Sequence, residues 1–592
     1  MKFLLAAINA KYIHSNPGVY SLRAFARTKI PGADIEIGEY TINHQMDLIL
    51  QDIYRRKPDF IGFSCYIWNI SYIMEIVRDV KKVLPEVEIW LGGPEVSYDA
   101  KKVLTREPDV CGVMRGEGEL TFTELVRAYL KREELCAASL DLDHIPGITY
   151  RAESGEVVER GPQRLLSLDE IPFYYDDMAG FENRIVYYES SRGCPFSCSY
   201  CLSSIDKTVR FRSLDLVLPE LQFFLDHKVP QVKFVDRTFN CKRDHTLGIW
   251  RYLVEHDNGI TNFHFEVSAD IFDEEELELI GKMRPGLIQL EIGVQSTNPD
   301  TIKEIHRHMD LVKLKQAVDR VYDYRNTHQH LDLIAGLPYE NYESFMRSFD
   351  DVYRMRPDQL QMGFLKVLKG SYMEEQVAAY DLKYRGIPPY EVLSTKWLPY
   401  SDVIRLKGVE DMVEVYYNSG QFPATMKLLE KKFDIDGHKE FYLSTVVFQY
   451  TTAEPEKKKL QAIQEAAVQA VQENYTDQPH VEAQVAMMIA NQAADNDNQV
   501  SVEQVRRQLE EDYPLAAVPF DDYVEKSDVL DYAQQPVTVT PARIRRMESR
   551  SIHTANGIEV KIPTELLNEE SEVEFLHDAD GSVSLLIKNV IL

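Results

Sequence analysis

The sequence predicts an α/β protein: an N-terminal flavodoxin-like doubly wound domain, then a partial (β/α)6 barrel, then a mostly helical C-terminal region. Three observations carry this expectation. Over residues 1–132, short continuous apolar runs alternate with longer amphipathic ones, as in parallel strands covered by helices on both faces. A second strand–helix series spans 184–375. Beyond 376 the chain is first rich in aromatics (Tyr380, Tyr384, Tyr390, Trp397, Tyr400, Tyr416, Tyr417) and then charged and Ala/Gln-rich from Glu454 to Gln472.

In the first series the strand candidates are Lys2–Ile8, Ala33–Glu39, Asp59–Ser64, Glu86–Leu91 and Asp109–Met114. Helices are expected at Val19–Lys29, Asp47–Arg56, Ile70–Leu84 and Glu119–Arg132. Five such strands make a flavodoxin-sized domain. Residues 133–183 hold the turns at Pro146, Gly147, Gly161 and Pro172 and read as a linker with a small hairpin. The second series has strand candidates Arg184–Glu189, Gln231–Val235, Asn262–Ser268, Gly286–Gly293, His330–Ile334 and Gln359–Val367. Six parallel strands at this spacing suggest a barrel with its active site at the C-terminal strand ends. Residues 376–452 are expected to pack as helices against the barrel. Residues 453–592 read as an accessory region ending in two hairpins, with turns at Asn556-Gly557 and Asp578–Gly581.

Composition narrows the function. The 592 residues are 44% hydrophobic and 27% charged, a globular balance. The net charge of −29 argues against non-specific nucleic-acid binding and against adsorption to an anionic membrane. The longest uncharged stretch, Phe60–Met74, has 15 residues and several polar ones, too short and too polar for a membrane span. The start reads as a buried strand, not a signal peptide. Seven cysteines, an odd number with three clustered within eight residues, point to a reducing cytoplasm and to chemistry at the cluster.

That cluster is Ser191-Arg192-Gly193-Cys194-Pro195-Phe196-Ser197-Cys198-Ser199-Tyr200-Cys201, spaced C-x3-C-x2-C directly after a strand. Three thiolates on one tight loop can hold three irons of a cubane and leave the fourth open to a substrate or cofactor. Zinc favours paired C-x2-C knuckles with a second pair elsewhere, and none is present; inert buried cysteines are the remaining alternative. With its aromatic Tyr200 before the last cysteine, the motif resembles that of the radical S-adenosylmethionine (SAM) enzymes. The resemblance covers about 183–370. It implies a [4Fe–4S] cluster on Cys194, Cys198 and Cys201, with SAM chelated at the open iron and cleaved reductively to a 5′-deoxyadenosyl radical. It further implies an electron donor such as flavodoxin or ferredoxin.

The same resemblance assigns the strand ends. Asp236-Arg237-Thr238-Phe239-Asn240 stands where the superfamily faces the methionine amine, in place of the common Gly-Gly-Glu. This is a variation found in the cobalamin-linked branch, and it puts Asp236 and Asn240 at the SAM site. Ser268 ends the third strand. Glu291 and Gln295 end the fourth and are directed to ribose and carboxylate. Gly336, in Asp332–Glu340, is placed under adenine. Acidic residues at strand ends also cap the following helices, so each position has a structural alternative. His306 and His308 fit a surface or loop role, and Cys241 a buried free thiol. No residue is singled out as catalytic.

The N-terminal fold could by itself hold a flavin, a nucleotide, a corrinoid or nothing. It lacks G-x-G-x-x-G after the first strand and any P-loop. Gly92-Gly93-Pro94-Glu95 and Arg115-Gly116-Glu117-Gly118-Glu119 place glycines at two strand ends beside the Ser64 hydroxyl; tight βα turns are the plain reading. Upstream of the cysteine loop, these segments resemble the cobalamin-binding domain of the B12-dependent radical SAM class. That implies a cobalamin site at Ser64, Gly92, Gly93, Gly116, Glu117 and Gly118. The lower-ligand motif D-x-H-x-x-G is broken: His14 is kept, while Tyr12 and Pro17 replace the aspartate and the glycine. Lacking the orienting carboxylate, His14 is expected not to ligate cobalt.

Trp397-Leu398-Pro399-Tyr400 and Leu406-Lys407-Gly408-Val409-Glu410 resemble a C-terminal domain of unknown function found in bacterial members of this class. Ile558–Leu592 resembles the end of a Gram-positive nucleoid-associated protein family. Arg543, Arg545, Arg546 and Arg550 lie just before it, but the acidic surroundings make a solvated hairpin the default. The expected function is a B12-dependent radical SAM methyltransferase of unknown substrate. The alternatives are a cobalamin-assisted rearrangement or cyclisation without methyl transfer, and a non-enzymatic iron–sulfur or nucleic-acid-binding adaptor. The adaptor would need a basic, aromatic-lined face.

Overall fold

A computed structural model describes residues 1–10, 14–137, 139–182, 184–205, 207–421, 459–473, 475, 481–496, 498–527, 530, 536–539, 549–553, 559–563, 573–577 and 583–587. The chain divides into two compact units, Met1–Leu428 and Leu429–Leu592.

The first sheet contains β1 (Lys2–Asn9), β2 (Asp34–Thr41), β3 (Phe60–Ser64), β4 (Glu88–Gly92), β5 (Gly112–Met114), β6 (Ile148–Arg151) and β7 (Val157–Glu159), in the order β2-β1-β3-β4-β5-β6-β7. The first five are parallel, which is the flavodoxin-like 2-1-3-4-5 order. Strand β1 shows why the run is continuously apolar. Phe3, Leu5 and Ala7 enter one core with Phe60, Trp90, Phe122 and Tyr129. Leu4, Ala6 and Ile8 enter the opposite core with Ile61, Phe63, Ile73 and Val77. Both pleat faces are covered, so period-two alternation disappears. The first helix, Pro17–Lys29, starts where the sequence allows: Pro17 supplies a preset φ and the Asn16 side chain accepts from the Val19 amide at 3.4 Å. The small hairpin expected within 133–183 is β6–β7. It pairs antiparallel with β5 and so extends this sheet.

The second sheet contains β8 (Val186–Tyr188), β11 (Gln231–Phe234), β12 (Asn262–Val267), β13 (Ile288–Gln295), β14 (His328–Ala335) and β15 (Gln359–Phe364). All are parallel and sequential, with no pairing of β8 to β15 among the described residues. It is a partial barrel of six strands. A two-stranded ribbon, β9 (Ser191–Arg192) and β10 (Arg210–Phe211), follows β8.

The open edge of β8 is met by the loop after β1. The Ser15 amide donates to Ile185 O at 3.0 Å, the Tyr187 amide donates to Ser15 Oγ at 2.8 Å, and the His14 ring stacks on Tyr187 at 4.6 Å. After 376 the chain does not go straight into a helix. A short antiparallel ribbon, Lys383–Tyr384 with Val392–Ser394, precedes the helix Tyr400–Met412. Pro388-Pro389 between those strands breaks any helical period. Tyr380, Leu382 and Val392 are buried with Ile305, Leu337 and Leu365 of the barrel loops.

The second unit has its own core. Leu460, Ile463, Val471, Val485, Ile489, Val505, Leu509 and Phe520 come together from residues 459–473, Val481–Asp495, Val502–Asp512 and Ala517–Glu525. Toward the end, Ser549–His553 pairs with Glu559–Pro563 and Val573–His577 with Val583–Ile587, both antiparallel. The turns at Asn556-Gly557 and Asp578–Gly581 lie outside the described residues, as do Arg543, Arg545, Arg546, the Arg550 side chain and Tyr12. Among the described residues, no helix is long and apolar enough to cross a membrane.

Candidate functional site

The cysteine loop leaves the C-terminal end of β8 and is closed at its base by the β9–β10 ribbon. Gly193 makes the turn possible. Its φ is +99°, and a Cβ there would stand 2.4 Å from the Thr208 carbonyl oxygen, so the two chain segments touch backbone to backbone. Beyond it, Ser204 Oγ donates to Cys198 O at 2.9 Å and to Cys201 O at 2.6 Å. The Ser199 amide donates to Ile305 O at 2.9 Å and the Met373 amide donates to Ser199 O at 2.9 Å.

Cys194 and Cys198 are buried, Cys201 is half-buried, and all three are free thiols. Cys194 Sγ lies 3.5 Å from Thr238 Oγ1. Arg307 reaches the loop from beyond β13. Its Nη1 is 3.8 Å from Cys198 Sγ and 3.4 Å from the Tyr200 hydroxyl, and its Nη2 donates to Gly293 O. Among the described residues no three His, Cys, Asp or Glu side chains are placed to share one metal ion. A cubane sets each cysteine on a different iron, so three free thiols on one loop fit a [4Fe–4S] cluster better than mononuclear zinc.

Inside the barrel the pleat sorts the side chains. On β13, Ile288, Leu290, Ile292 and Val294 are buried toward the helices, and Gln289, Glu291, Gly293 and Gln295 take the other face. Glu291 accepts from Lys233 Nζ at 2.9 Å and pairs with His264 Nε2 at 3.0 Å. Burial opposes its ionisation, but His264 and Lys233 together hold its carboxyl well below the usual carboxylate range. His330 Nε2 is 3.0 Å from Asp332 Oδ1. On β12, in register with Glu291, burial pushes the Glu266 carboxyl up to about 7 despite the nearby Arg237. Arg237 is exposed, and the nearby Glu266, Cys201, Tyr66 and Glu189 stabilise its charge. At the end of β13, Gln295 has φ +71° beside a register shift, and its Oε1 is buried with no hydrogen-bond partner among the described residues.

The C-terminal edge of the first sheet is fastened to this mouth by ion pairs. Arg192, in the ribbon that bears the cysteine loop, meets Glu119 at 3.0 Å, Glu117 at 3.2 Å and Glu189 at 2.7 Å. Arg210 also pairs with Glu117. Lys369 pairs with Glu95 at 2.8 Å and with Asp99 at 3.2 Å. Ser64 and Gly92 lie side by side in register. Beyond them Tyr66 and Trp68 stack at 4.4 Å and 6°, a flat aromatic ledge on the same edge.

The sequence-predicted residues divide accordingly. Glu291 and Gln295 do face the lumen. Asp236 does not. It is fully buried, accepting from the Ser190 amide at 3.0 Å and from Ser190 Oγ at 2.8 Å, and burial pushes its carboxyl up to about 7 against those hydrogen bonds. Both ends of the Asn240 amide are taken by the Ser268 backbone, at 2.8 and 2.9 Å, and Ser268 Oγ donates to Asp270 Oδ1 at 2.7 Å. These three residues brace the mouth. At Gly336 a Cβ would meet Val392 Cγ1 at 2.7 Å, and at Gly93 it would meet Cys65 O at 2.4 Å, so both close approaches are to protein. A Cβ at Gly118 would meet Leu22 at 2.8 Å, whereas Gly116 opens on free space. The Glu117 carboxylate is spent on Arg192 and Arg210.

His14 is buried, its Nδ1 2.8 Å from Ser15 O. His306 and His308 are exposed, while Cys241 is half-buried, its thiol pushed up to about 11 by burial and by Cys194 and Asp236. Sequence reasoning passed over Arg307 and Tyr66/Trp68, and it included Arg237 and Glu266 only as members of strand-end segments, without singling them out. An aromatic pair two residues apart directly after an apolar strand was the one available signal; the others carry no spacing of their own.

Comparison with known proteins agrees with this arrangement. A B12 binding domain matches residues 4–126, the radical SAM superfamily 188–352, and a protein family of unknown function (DUF4080) 378–459. The cobalamin-dependent radical SAM methyltransferase TokK of Streptomyces tokunonensis is 28% identical over 49% of this chain and 44% of its own length. A 2-(S-pantetheinyl)-carbapenam-3-carboxylate methyltransferase of Streptantibioticus cattleyicolor matches to the same extent. The matched stretch is thus less than half the length of either relative.

Among solved structures, the radical SAM methyltransferase TsrM of Kitasatospora setae, with tryptophan substrate and a SAM analog bound, has a TM-score of 0.54 at 16% identity. That match covers 66% of this chain and 80% of TsrM. The radical enzyme OxsB, with aqua-cobalamin and SAM bound, has a TM-score of 0.51 at 15% identity, covering 92% and 78%. At these identities the likeness is one of fold. The three domain matches follow one another in this order along the chain, and the cysteine loop within the second of them lies at the mouth of the second sheet.

Proposed function

We propose that this protein is a cobalamin-dependent radical SAM enzyme that transfers a methyl group to a substrate held between its first two sheets. One observation carries the reading: the C-x3-C-x2-C loop sits at the C-terminal end of the first barrel strand, and three sets of ion pairs hold the C-terminal edge of a 2-1-3-4-5 sheet against that mouth. When bound, the reduced cluster supplies the electron for reductive cleavage of SAM, and cobalamin carries the methyl group.

The chain's own residues do the rest. Cys194, Cys198 and Cys201 hold the cluster. Asp236 fixes Ser190 and with it the root of the loop. Arg237 and Glu266, unspent on one another, are placed for the carboxylate and amine of a bound zwitterion. The Gln295 amide oxygen is left to accept from a hydroxyl. Ser64, Gly92, Gly93 and Gly116 line the edge on which a corrin would lie beside Tyr66 and Trp68. Closure of the two sheets over the mouth excludes water from a substrate radical. A reductant and a substrate complete the system.

The test is anaerobic. Wild-type protein is expected to carry iron and labile sulfide and to release 5′-deoxyadenosine from SAM with a chemical reductant; the triple Cys194/Cys198/Cys201→Ala variant is expected to do neither. If the two behave alike, the reading fails. With SAM labelled in its methyl group and a turned-over substrate, label in the product supports methyl transfer. Turnover without label replaces it by rearrangement or cyclisation.

A further inference from the structure

Arg307 is the one cation that touches a cysteine of the loop among the described residues. Its guanidinium makes three contacts of different kinds: Cys198 Sγ at 3.8 Å, the Tyr200 hydroxyl at 3.4 Å, and the carbonyl of Gly293 on the lumen face of β13. Its Nε is buried and has no hydrogen-bond partner among the described residues. An arginine used only to pin a loop would spend its whole fork on carboxylates or carbonyls; here one arm holds the Gly293 carbonyl and the other lies against sulfur, with no carboxylate within ion-pair distance among the described residues. The flanking His306 and His308 point to solvent instead. The backbone makes this alternation possible. The helix Pro299–Glu304 ends just before, and His306 adopts φ +54°, turning the next side chain inward.

Resting on the reading of the loop as a cluster site, we propose that Arg307 sets the cluster's reduction potential. Reduction adds one electron to the cluster, with no bond made or broken and no proton moved. The electron comes from a low-potential one-electron donor. A cluster on three thiolates becomes more negative in that step. A fixed positive charge beside one of its sulfurs, in a low-dielectric setting, stabilises the reduced form more than the oxidised one. Net charge, hydrogen bonds to sulfur and solvent exposure are the quantities that set such potentials. The same guanidinium ties the Cys198 side of the cluster to Gly293, two residues before Gln295. The charge that tunes the cluster is thereby held in register with the strand end that faces the ligand.

The experiment is a redox titration of reconstituted holoprotein followed by electron paramagnetic resonance, with iron and sulfide counted on the same samples. Arg307→Gln removes the charge and Arg307→Lys keeps it. Lys303→Gln removes an exposed charge nearby, which solvent and salt already screen. The expected result is a midpoint in Arg307→Gln more negative than wild type, seen as a severalfold smaller reduced fraction at the same ambient potential. Arg307→Lys is expected to lie between the two, and Lys303→Gln at wild type. An unchanged midpoint in Arg307→Gln, or an equal shift in Lys303→Gln, overturns the proposal. So does loss of the cluster from both Arg307 variants, which would make the residue a clamp. A wild type without iron or sulfide would overturn the cluster reading itself, a distinct failure.

Discussion

Replacing Gly193 by alanine tests whether the backbone of the cysteine loop is as tightly determined as its geometry implies. Two costs add. At φ +99° an L-residue sits in a region that normally only glycine occupies, worth about 1–3 kcal/mol. The new methyl group would also lie 2.4 Å from Thr208 O and 3.1 Å from Thr208 C. Both are backbone atoms and cannot rotate away, so the ribbon must part; overpacking of this kind costs about 1–3 kcal/mol more. The sum, about 2–6 kcal/mol, falls on the ribbon that positions Cys194.

Gly180→Ala is the control. Its φ is +83°, but a Cβ there meets nothing within 4 Å, so it carries the conformational cost without the overlap. Iron, sulfide and the visible absorbance of the reconstituted proteins form the assay, with denaturant unfolding alongside. Gly193→Ala is expected to lose most of its iron and Gly180→Ala to keep it. Equal iron in Gly193→Ala and wild type would refute the claim that the loop needs this backbone contact.

Three further outcomes follow from other parts of the structure. Arg212 and Glu220 form an ion pair whose side chains are each only 8% exposed, and Arg212 also donates to Leu168 O and to Ile171 O at 2.8 Å; Arg212→Ala should cost about 3–5 kcal/mol in unfolding by denaturant, because it strands a buried charge. Glu340 is buried, its Oε1 accepting from Ser296 at 2.7 Å and Ser348 at 2.9 Å, and burial pushes its carboxyl up to about 7. A raised folded value favours the protonated group, so its contribution is intact below the unfolded value of about 4.3 and is lost as pH rises through about 7. Glu340→Gln should therefore match wild type near the acid end and become the more stable protein above that window, as read from denaturant midpoints across pH; a constant difference would contradict it. Finally, His14→Ala should keep cobalamin after gel filtration with an unchanged visible spectrum, because the ring is stacked on Tyr187 and its Nδ1 is engaged with Ser15 O.

Much of the architecture was legible because it rests on burial. Strands β1, β3 and β4 read correctly to within two residues because both of their faces are covered, which leaves an apolar run in the sequence. The barrel strands were legible in the same way from their helix-facing side chains, such as Leu290 and Ile292. The site was legible only where the chemistry is local. Three cysteines within eight residues announce themselves; pairs such as Glu119–Arg192 and Glu95–Lys369 do not, because nothing in either segment refers to the other. Asp236 shows a second limit. A strand end tells where a carboxylate is, but not whether it turns toward the ligand or back toward Ser190. Arg307 shows a third, since the histidines on either side of it drew attention through residue type alone, and the backbone turn at His306 decides which of the three faces inward.

The loop that crosses from β1 to the edge of β8 bears on how such a protein can be taken apart. An uncovered strand edge is a template for pairing with other chains, and in this molecule Ser15 occupies that edge through its amide and its hydroxyl. The barrel half is therefore not a free-standing module. A truncation beginning near residue 184 would present β8 bare and invite self-association. A chimera that exchanges the first sheet for that of a relative would have to bring its own β1 loop of matching reach. Shuffling of these two halves, in the laboratory or in evolution, is constrained by a few residues that belong to one half and complete the other.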